Sequence, residues 1–294
     1  MAWYDTSSQS SGGRTPQEWI GENRKWLEGL VVVLLLSALV YLILSTGVLA
    51  STFGTPSYKV KSICEIVIDR TGSTSSEATS RHFERLASAS VDACAADGAL
   101  VDIWTTGSDG VNPTLVSKNP IRLIYSGATL RKYAVEQAIA IQSAKVDLSR
   151  VFSSPSGNSS AGSDIAAALS QASSTGAKQS ANNGGVSEKI IVITDGMQLA
   201  QGTAVTSMST IDSDPEVLAR QTQSLYQTSG LRGSNIFFYG VRGGTLDSTG
   251  QPLPAWFENK VQGYWSDLVA LSGGKICSYQ NDQDASSILA CGGN

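Results

Sequence analysis

The chain has 294 residues, 41% of them hydrophobic and 16% charged, with a formal net charge of −4. That is enough apolar sequence for one sizeable core and a short accessory region, and without a basic excess there is no electrostatic footing for nucleic acid. The glycine-rich phosphate loops of nucleotide-binding folds, Gly-x-x-x-x-Gly-Lys-Ser/Thr or Gly-x-Gly-x-x-Gly after a strand, are also missing from the sequence, so nucleotide binding has no support.

In chain order, residues 1–15 are rich in Ser, Gly and Gln and read as a disordered tail. Residues 16–50 read as a helix that becomes a membrane anchor. Thr15-Pro16-Gln17-Glu18 supplies an N-cap, a first-turn proline and a capping-box glutamate. Residues 29–58 carry no charge, and the apolar run from Leu30 to Ala50 is about 21 residues, or about 31 Å as a helix, enough to span a bilayer core. Trp19 and Trp26 would lie on one face near the headgroups. The rival is a signal peptide cleaved after Val48-Leu49-Ala50, against which stand the long polar leader and the length of the run. Arg14, Arg24 and Lys25 before the span and Lys59 and Lys61 after it leave the positive-inside rule nearly silent on orientation.

Residues 51–61 form a polar stalk with Pro56, and 62–294 a single domain of alternating patterns. Strands are expected over 63–69, 99–106, 120–125, 188–194, 235–241 and 275–279. Helices are expected over 76–96, 129–147, 164–173, 215–229, 255–271 and 284–290. Thr74-Ser75-Ser76-Glu77 reads as a capping box for the first of these helices, Asp214-Pro215-Glu216 as a helix start and Gly273-Gly274 as a helix stop. Such alternation implies an α/β fold with a mostly parallel sheet covered on both faces, the 120–125 strand returning antiparallel on an edge. The loops 107–118, 151–162, 196–213 and 241–253 would emerge at the carboxyl end of the sheet, where ligands bind, and 174–187 would be slack at the opposite end.

Two apolar runs end in aspartate. Ile66-Val67-Ile68-Asp69 is followed by hydroxyls at Thr71 and Ser73, and Ile190-Ile191-Val192-Ile193-Thr194-Asp195 by a turn glycine, Gly196. Between them, Gly162-Ser163-Asp164-Ile165 places a hydroxyl at the mouth of an Ala-rich helix. Carboxylate and hydroxyl oxygens suit Mg²⁺ or Mn²⁺, although each motif alone is commonly a turn or a helix cap. The three segments together resemble the metal-ion-dependent adhesion site of the von Willebrand factor type A family, with Thr71 where Ser is usual and Ser163 where Thr is usual. The resemblance implies a doubly wound, mostly parallel six-stranded sheet over residues 62 to about 290. It also implies a divalent cation held directly by Thr71, Ser73 and Ser163, with Asp69 and Asp195 bonding through waters. A protein partner would then offer an acidic side chain to the ion.

Cys64, Cys94, Cys277 and Cys291 lack metal-ligand spacing, and an even count beyond an anchor suggests disulfides in an oxidising compartment. In the fold the resemblance implies, Cys64 opens the first strand and Cys94 ends the helix that returns from it, with Cys277 and Cys291 in the same relation. Local pairs 64–94 and 277–291 are expected, four free buried thiols being the alternative. The expected placement is therefore a single-pass protein of the inner (plasma) membrane, amino terminus cytoplasmic and domain extracytoplasmic. The expected function is metal-dependent protein binding, with no enzymatic activity. Two alternatives are a structural subunit of an envelope assembly whose metal only staples loops, and a hydrolase using Asp164 or Asp212 as base. His82, the one histidine, reads as a solvated helix residue; Trp256, Phe257, Tyr264 and Trp265 read as core and helix-cover residues at helical spacing; Asn158-Ser159-Ser160 is a glycosylation sequon that matters only in a eukaryotic source.

Overall fold

The computed structural model describes residues 26, 31–35, 37, 60–70, 76–106, 113–116, 121–122, 131–153, 163–200, 203–205, 214–226, 228–241, 254–281, 288–289 and 291. The chain divides into two compact units, Met1–Ser57 and Tyr58–Asn294. In the first, residues 26, 31–35 and 37 are helical, and Ser37 returns its hydroxyl to the Val33 carbonyl at 2.7 Å. Most of the expected anchor lies outside the described residues, among which no helix is long and apolar enough to cross a membrane.

The second unit is an α/β domain. Its strands are β1 (Ser62–Ile68), β2 (Ala99–Thr105), β3 (Thr114–Leu115), β4 (Ile121–Arg122), β5 (Ser187–Ile193), β6 (Gln198–Ala200), β7 (Thr203–Val205), β8 (Asn235–Tyr239) and β9 (Lys275–Gln280). Its helices are α1 (Glu77–Asp97), α2 (Arg131–Ser153), α3 (Ile165–Asn182), α4 (Pro215–Tyr226) and α5 (Ala255–Leu271), with a 3₁₀ turn at Thr228–Leu231. The main sheet runs β3-β2-β1-β5-β8-β9. β1, β2, β5, β8 and β9 are parallel, and β3 and β4 both pair antiparallel with β2. β4 falls within the antiparallel edge strand expected over 120–125, and β3 lies in a stretch expected as a loop.

Strand alternation divides the core between two layers. Ile66, Ile68, Val101, Ile103, Ile191, Ile193 and Phe237 point toward α1 and α2, where Phe83, Leu86, Val91 and Leu148 meet them. Val67, Trp104, Ile190, Val192, Ile236 and Phe238 point toward α3, α4 and α5, where Leu169, Ala219, Val261 and Trp265 meet them. All seven residues of β1 are buried because it lies between two strands and two helix layers, which is why it reads as a near-continuous apolar run. Burial of each large side chain stabilises the fold by about 1.5–3 kcal/mol.

The disulfides are Cys64–Cys94, clamping β1 to α1, and Cys277–Cys291, with Cα separations of 6.2 and 4.5 Å. There is no free cysteine.

Several expectations need correction. α1 is capped by Ser76, whose hydroxyl accepts the Thr79 amide at 3.1 Å, while Thr74 of the expected capping box lies outside the described residues. Glu77 is consequently the first helical residue and pairs with Arg81 one turn on. α3 runs on to Asn182 through the stretch expected as slack, and the β6–β7 hairpin falls within an expected loop. Trp256 is 47% exposed, with Lys260 over its ring, whereas Phe257, Tyr264 and Trp265 are core. The helix expected over 284–290 lies mostly outside the described residues; 288 and 289 form a turn.

Candidate functional site

The chain leaves β1 toward α1 on one face of the sheet and enters β5 from α3 on the other. The carboxyl ends of these paired strands therefore flank the point where the winding reverses, the crevice in which open α/β sheets bind ligands. Asp69 is the first residue beyond β1 and Asp195 the second beyond β5.

Asp69 is 1% exposed and held from both neighbouring strands. Its amide extends the ladder to the Ile193 carbonyl at 2.8 Å. Thr194 donates to its Oδ2 at 2.9 Å, and Thr106, just past β2, to its Oδ1 at 3.4 Å. The same hydroxyls accept backbone amides, Thr194 that of Gly196 and Thr106 that of Arg70, each at 3.0 Å. The carboxylate is thus oriented by two buried hydroxyls whose own directions are fixed by the backbone.

Asp195 is half-buried, and its Oδ1 accepts the Met197 amide at 2.9 Å, an Asx turn that lifts the carboxylate at the strand end. Gly196 must take a left-handed conformation here, φ 91°, and its carbonyl accepts the Trp265 indole hydrogen at 2.9 Å, pinning the turn to α5.

Ser163 is 4% exposed and directly precedes Asp164, the N-cap of α3. Asp164 Oδ1 accepts from the Ala167 amide at 2.9 Å and from Gln198 Nε2 at 3.1 Å, and its Oδ2 from the Tyr226 hydroxyl at 2.7 Å. Gln198 Oε1 in turn accepts the Ala166 amide at 3.1 Å. Gln198 lies three residues after Asp195, so these bonds tie the mouth of α3, and Ser163 with it, to the end of β5. Arg70 points to the opposite layer, donating to Ser80 Oγ at 3.1 Å and lying 5.1 Å from the Phe152 ring centroid. Burial lowers its pKa, opposed by the charges of Asp69 and Glu84.

The structure therefore places Asp69, Ser163 and Asp195 at one end of the β1–β5 seam. Thr71 and Ser73 lie outside the described residues, as does Asp212. Thr106, Thr194, Gln198 and Tyr226, which orient the site, carry no role in the sequence reading; a threonine directly before the strand-end aspartate was the one available signal. The described donors are two carboxylates and the Ser163 hydroxyl, hard oxygens of the kind Mg²⁺ takes. Among the described residues no group of three or more His, Cys, Asp or Glu side chains is placed to hold a metal ion. His82 is half-buried on α1, its Nε2 against the Asn281 carbonyl at 3.0 Å and its Nδ1 against Arg85 at 3.1 Å.

No protein-family model matches the chain, and no curated protein does. Solved structures similar to it include an aerotolerance-related membrane protein from Bacteroides fragilis, at 19% identity and TM-score 0.40, covering 76% of this chain and 92% of that one. BatB from Bacteroides thetaiotaomicron is 20% identical with TM-score 0.36 and the same coverages. The human COPII-coat protein Sec24c is 12% identical with TM-score 0.38, covering 77% of this chain and 31% of that one. Likeness at this level carries no functional argument.

Proposed function

We propose that this chain is a membrane-anchored type A domain that binds a protein partner through Mg²⁺ or Mn²⁺ held by Asp69, Thr71, Ser73, Ser163 and Asp195. The observation that carries the reading is the hydroxyl-braced Asp69 beside Asp195 at the reversal point of the sheet, with Ser163 tied to the same strand end through Asp164 and Gln198. The ion, when bound, would supply a Lewis-acidic position for a carboxylate of the partner. The protein's own contribution is orientation: Thr106 and Thr194 fix Asp69, the Asx turn fixes Asp195, and the capped α3 fixes Ser163. Both oxygens of Asp164, one of two candidate bases for a hydrolase, are engaged in capping and bracing, which favours binding over catalysis. The two disulfides favour an oxidising compartment for the domain, and with the apolar segment they support an extracytoplasmic placement. Capture of a partner from solubilised membranes in Mg²⁺, lost in EDTA, is the expected result. Capture that survives EDTA while the metal still raises thermal stability would replace this reading with a scaffold whose ion only staples loops.

A further inference from the structure

Three carboxylates inside the sheet belong to no part of the site above. Glu65 on β1, Asp102 on β2 and Glu188 on β5 are 0%, 1% and 6% exposed. Glu65 and Asp102 lie directly opposite in the ladder, and Glu188 pairs with Ile63, two residues before Glu65. Strand alternation turns all three toward α3.

Each has one oxygen satisfied. Trp104 Nε1 donates to Glu65 Oε2 at 2.6 Å, Gln179 Nε2 to Asp102 Oδ2 at 2.5 Å, and Ser234 Oγ to Glu188 Oε2 at 2.6 Å. The other oxygens, Glu65 Oε1, Asp102 Oδ1 and Glu188 Oε1, are buried without a hydrogen-bond partner, and so is Gln179 Oε1. α3 makes room for the row with Gly176, where any Cβ would overlap the Glu188 carboxylate.

Among the described residues, none of the ion pairs joins a cation to these groups. Lys189 points to the other sheet face, onto Asp97 at 2.9 Å, and Lys178 of α3 and Arg232 after the 3₁₀ turn are exposed. Glu216 and Arg220 of α4 pair with each other at the surface, and Asp164 is engaged at the far end of α3. The three carboxylates do not form a group able to hold a metal. Four buried acceptors without a donor lack hydrogens, and a carboxyl proton supplies one where an ionised group would be left uncompensated.

We propose that Glu65, Asp102 and Glu188 are a proton-binding row that makes this domain an acid-favoured fold, holding protons when folded that the unfolded chain releases. Burial raises Glu188 from 4.5 to about 7, opposed by the Ser234 hydrogen bond. Burial also raises Asp102, and raises Glu65 well above its usual range with help from the Asp102 and Glu188 charges. The sign follows: a raised carboxyl contributes stability fully below its unfolded pKa and loses it as pH rises through the folded one. For Glu188 that window runs from 4.5 to about 7, and each proton lost changes the unfolding constant by up to about tenfold per pH unit.

The test is urea unfolding of the 294-residue chain in detergent between pH 5 and pH 8.5. The midpoint should fall as pH rises, and Glu188→Gln, an isostere that cannot ionise, should flatten the fall. A midpoint that is level or rises with pH, or an undiminished slope in Glu188→Gln, overturns the proposal. Should the variants not fold, the wild-type infrared spectrum decides: a protonated-carboxyl band at pH 6 that fades toward pH 8.5 is required, and its absence at pH 6 overturns the proposal equally. Neither outcome depends on the metal reading, because the row lies away from the strand-end oxygens.

Discussion

Thr194 bridges the two strands of the site, donating to Asp69 Oδ2 at 2.9 Å while accepting the Gly196 amide at 3.0 Å. One hydroxyl thus sets the direction of the Asp69 carboxylate and the path of the turn that carries Asp195. Thr194→Val keeps the shape and removes the bond. It should cost about 1.5–3 kcal/mol, the range for a hydrogen bond to a charged group. It should also weaken Mg²⁺ binding by about 10- to 100-fold, as loss of a group supporting a ligand does. Thermal unfolding with and without Mg²⁺ reads both effects, and an unchanged Mg²⁺-dependent shift would contradict the bracing role.

Tyr226→Phe removes the hydroxyl on Asp164 Oδ2 without opening a cavity. Stability should fall by about 1 kcal/mol, while Mg²⁺ affinity falls more than that loss accounts for, because Ser163 is positioned through this cap. Isothermal titration beside urea unfolding separates the two; a stability loss with wild-type affinity would confine Tyr226 to holding α3.

Gly176→Ala should destabilise by about 1–3 kcal/mol through overpacking, since the added methyl meets the Glu188 carboxylate. Glu188→Ala in the same chain should recover much of the loss. A double variant no more stable than Gly176→Ala alone, measured by urea midpoints, would show that the clash lies elsewhere.

The disulfides close loops of different length, with sequence separations of 30 and 14. In the chain-entropy model they contribute about 3.6 and about 3 kcal/mol. Cys64→Ala/Cys94→Ala should therefore lower the unfolding midpoint at least as far as Cys277→Ala/Cys291→Ala, the more so because Cys64 and Cys94 are fully buried. Peptide mapping of the membrane-derived protein without reductant should find both bridges; free thiols in it would contradict an oxidising compartment.

The sequence revealed the fold where burial and periodicity agree. β1 and β5 are apolar runs because two layers cover them, and α5 spans the 255–271 that its aromatic spacing indicates. It misled where one residue type serves two purposes. Ser173-Ser174-Thr175-Gly176 reads as a helix end, yet Ser173 returns its hydroxyl to the Ser170 carbonyl and Gly176 is there to accommodate Glu188. Strands β3, β6 and β7 are only two or three residues long, too short for any period to show. Asp69, Ser163 and Asp195 could be read because strand-end aspartates and a helix-mouth hydroxyl are local patterns. Gln198 and Tyr226 could not, since their partner Asp164 is distant in sequence, as Glu65, Asp102 and Glu188 are from one another.

The central claim is that the strand-end oxygens hold a divalent cation, and titrating Mg²⁺ into the 294-residue chain and its Asp195→Ala variant tests it most directly. One site in the wild type is expected, with affinity lost in a variant whose far-UV spectrum is unchanged. Equal Mg²⁺ affinity in the two proteins, or no binding heat in the folded wild type across temperatures, would contradict it.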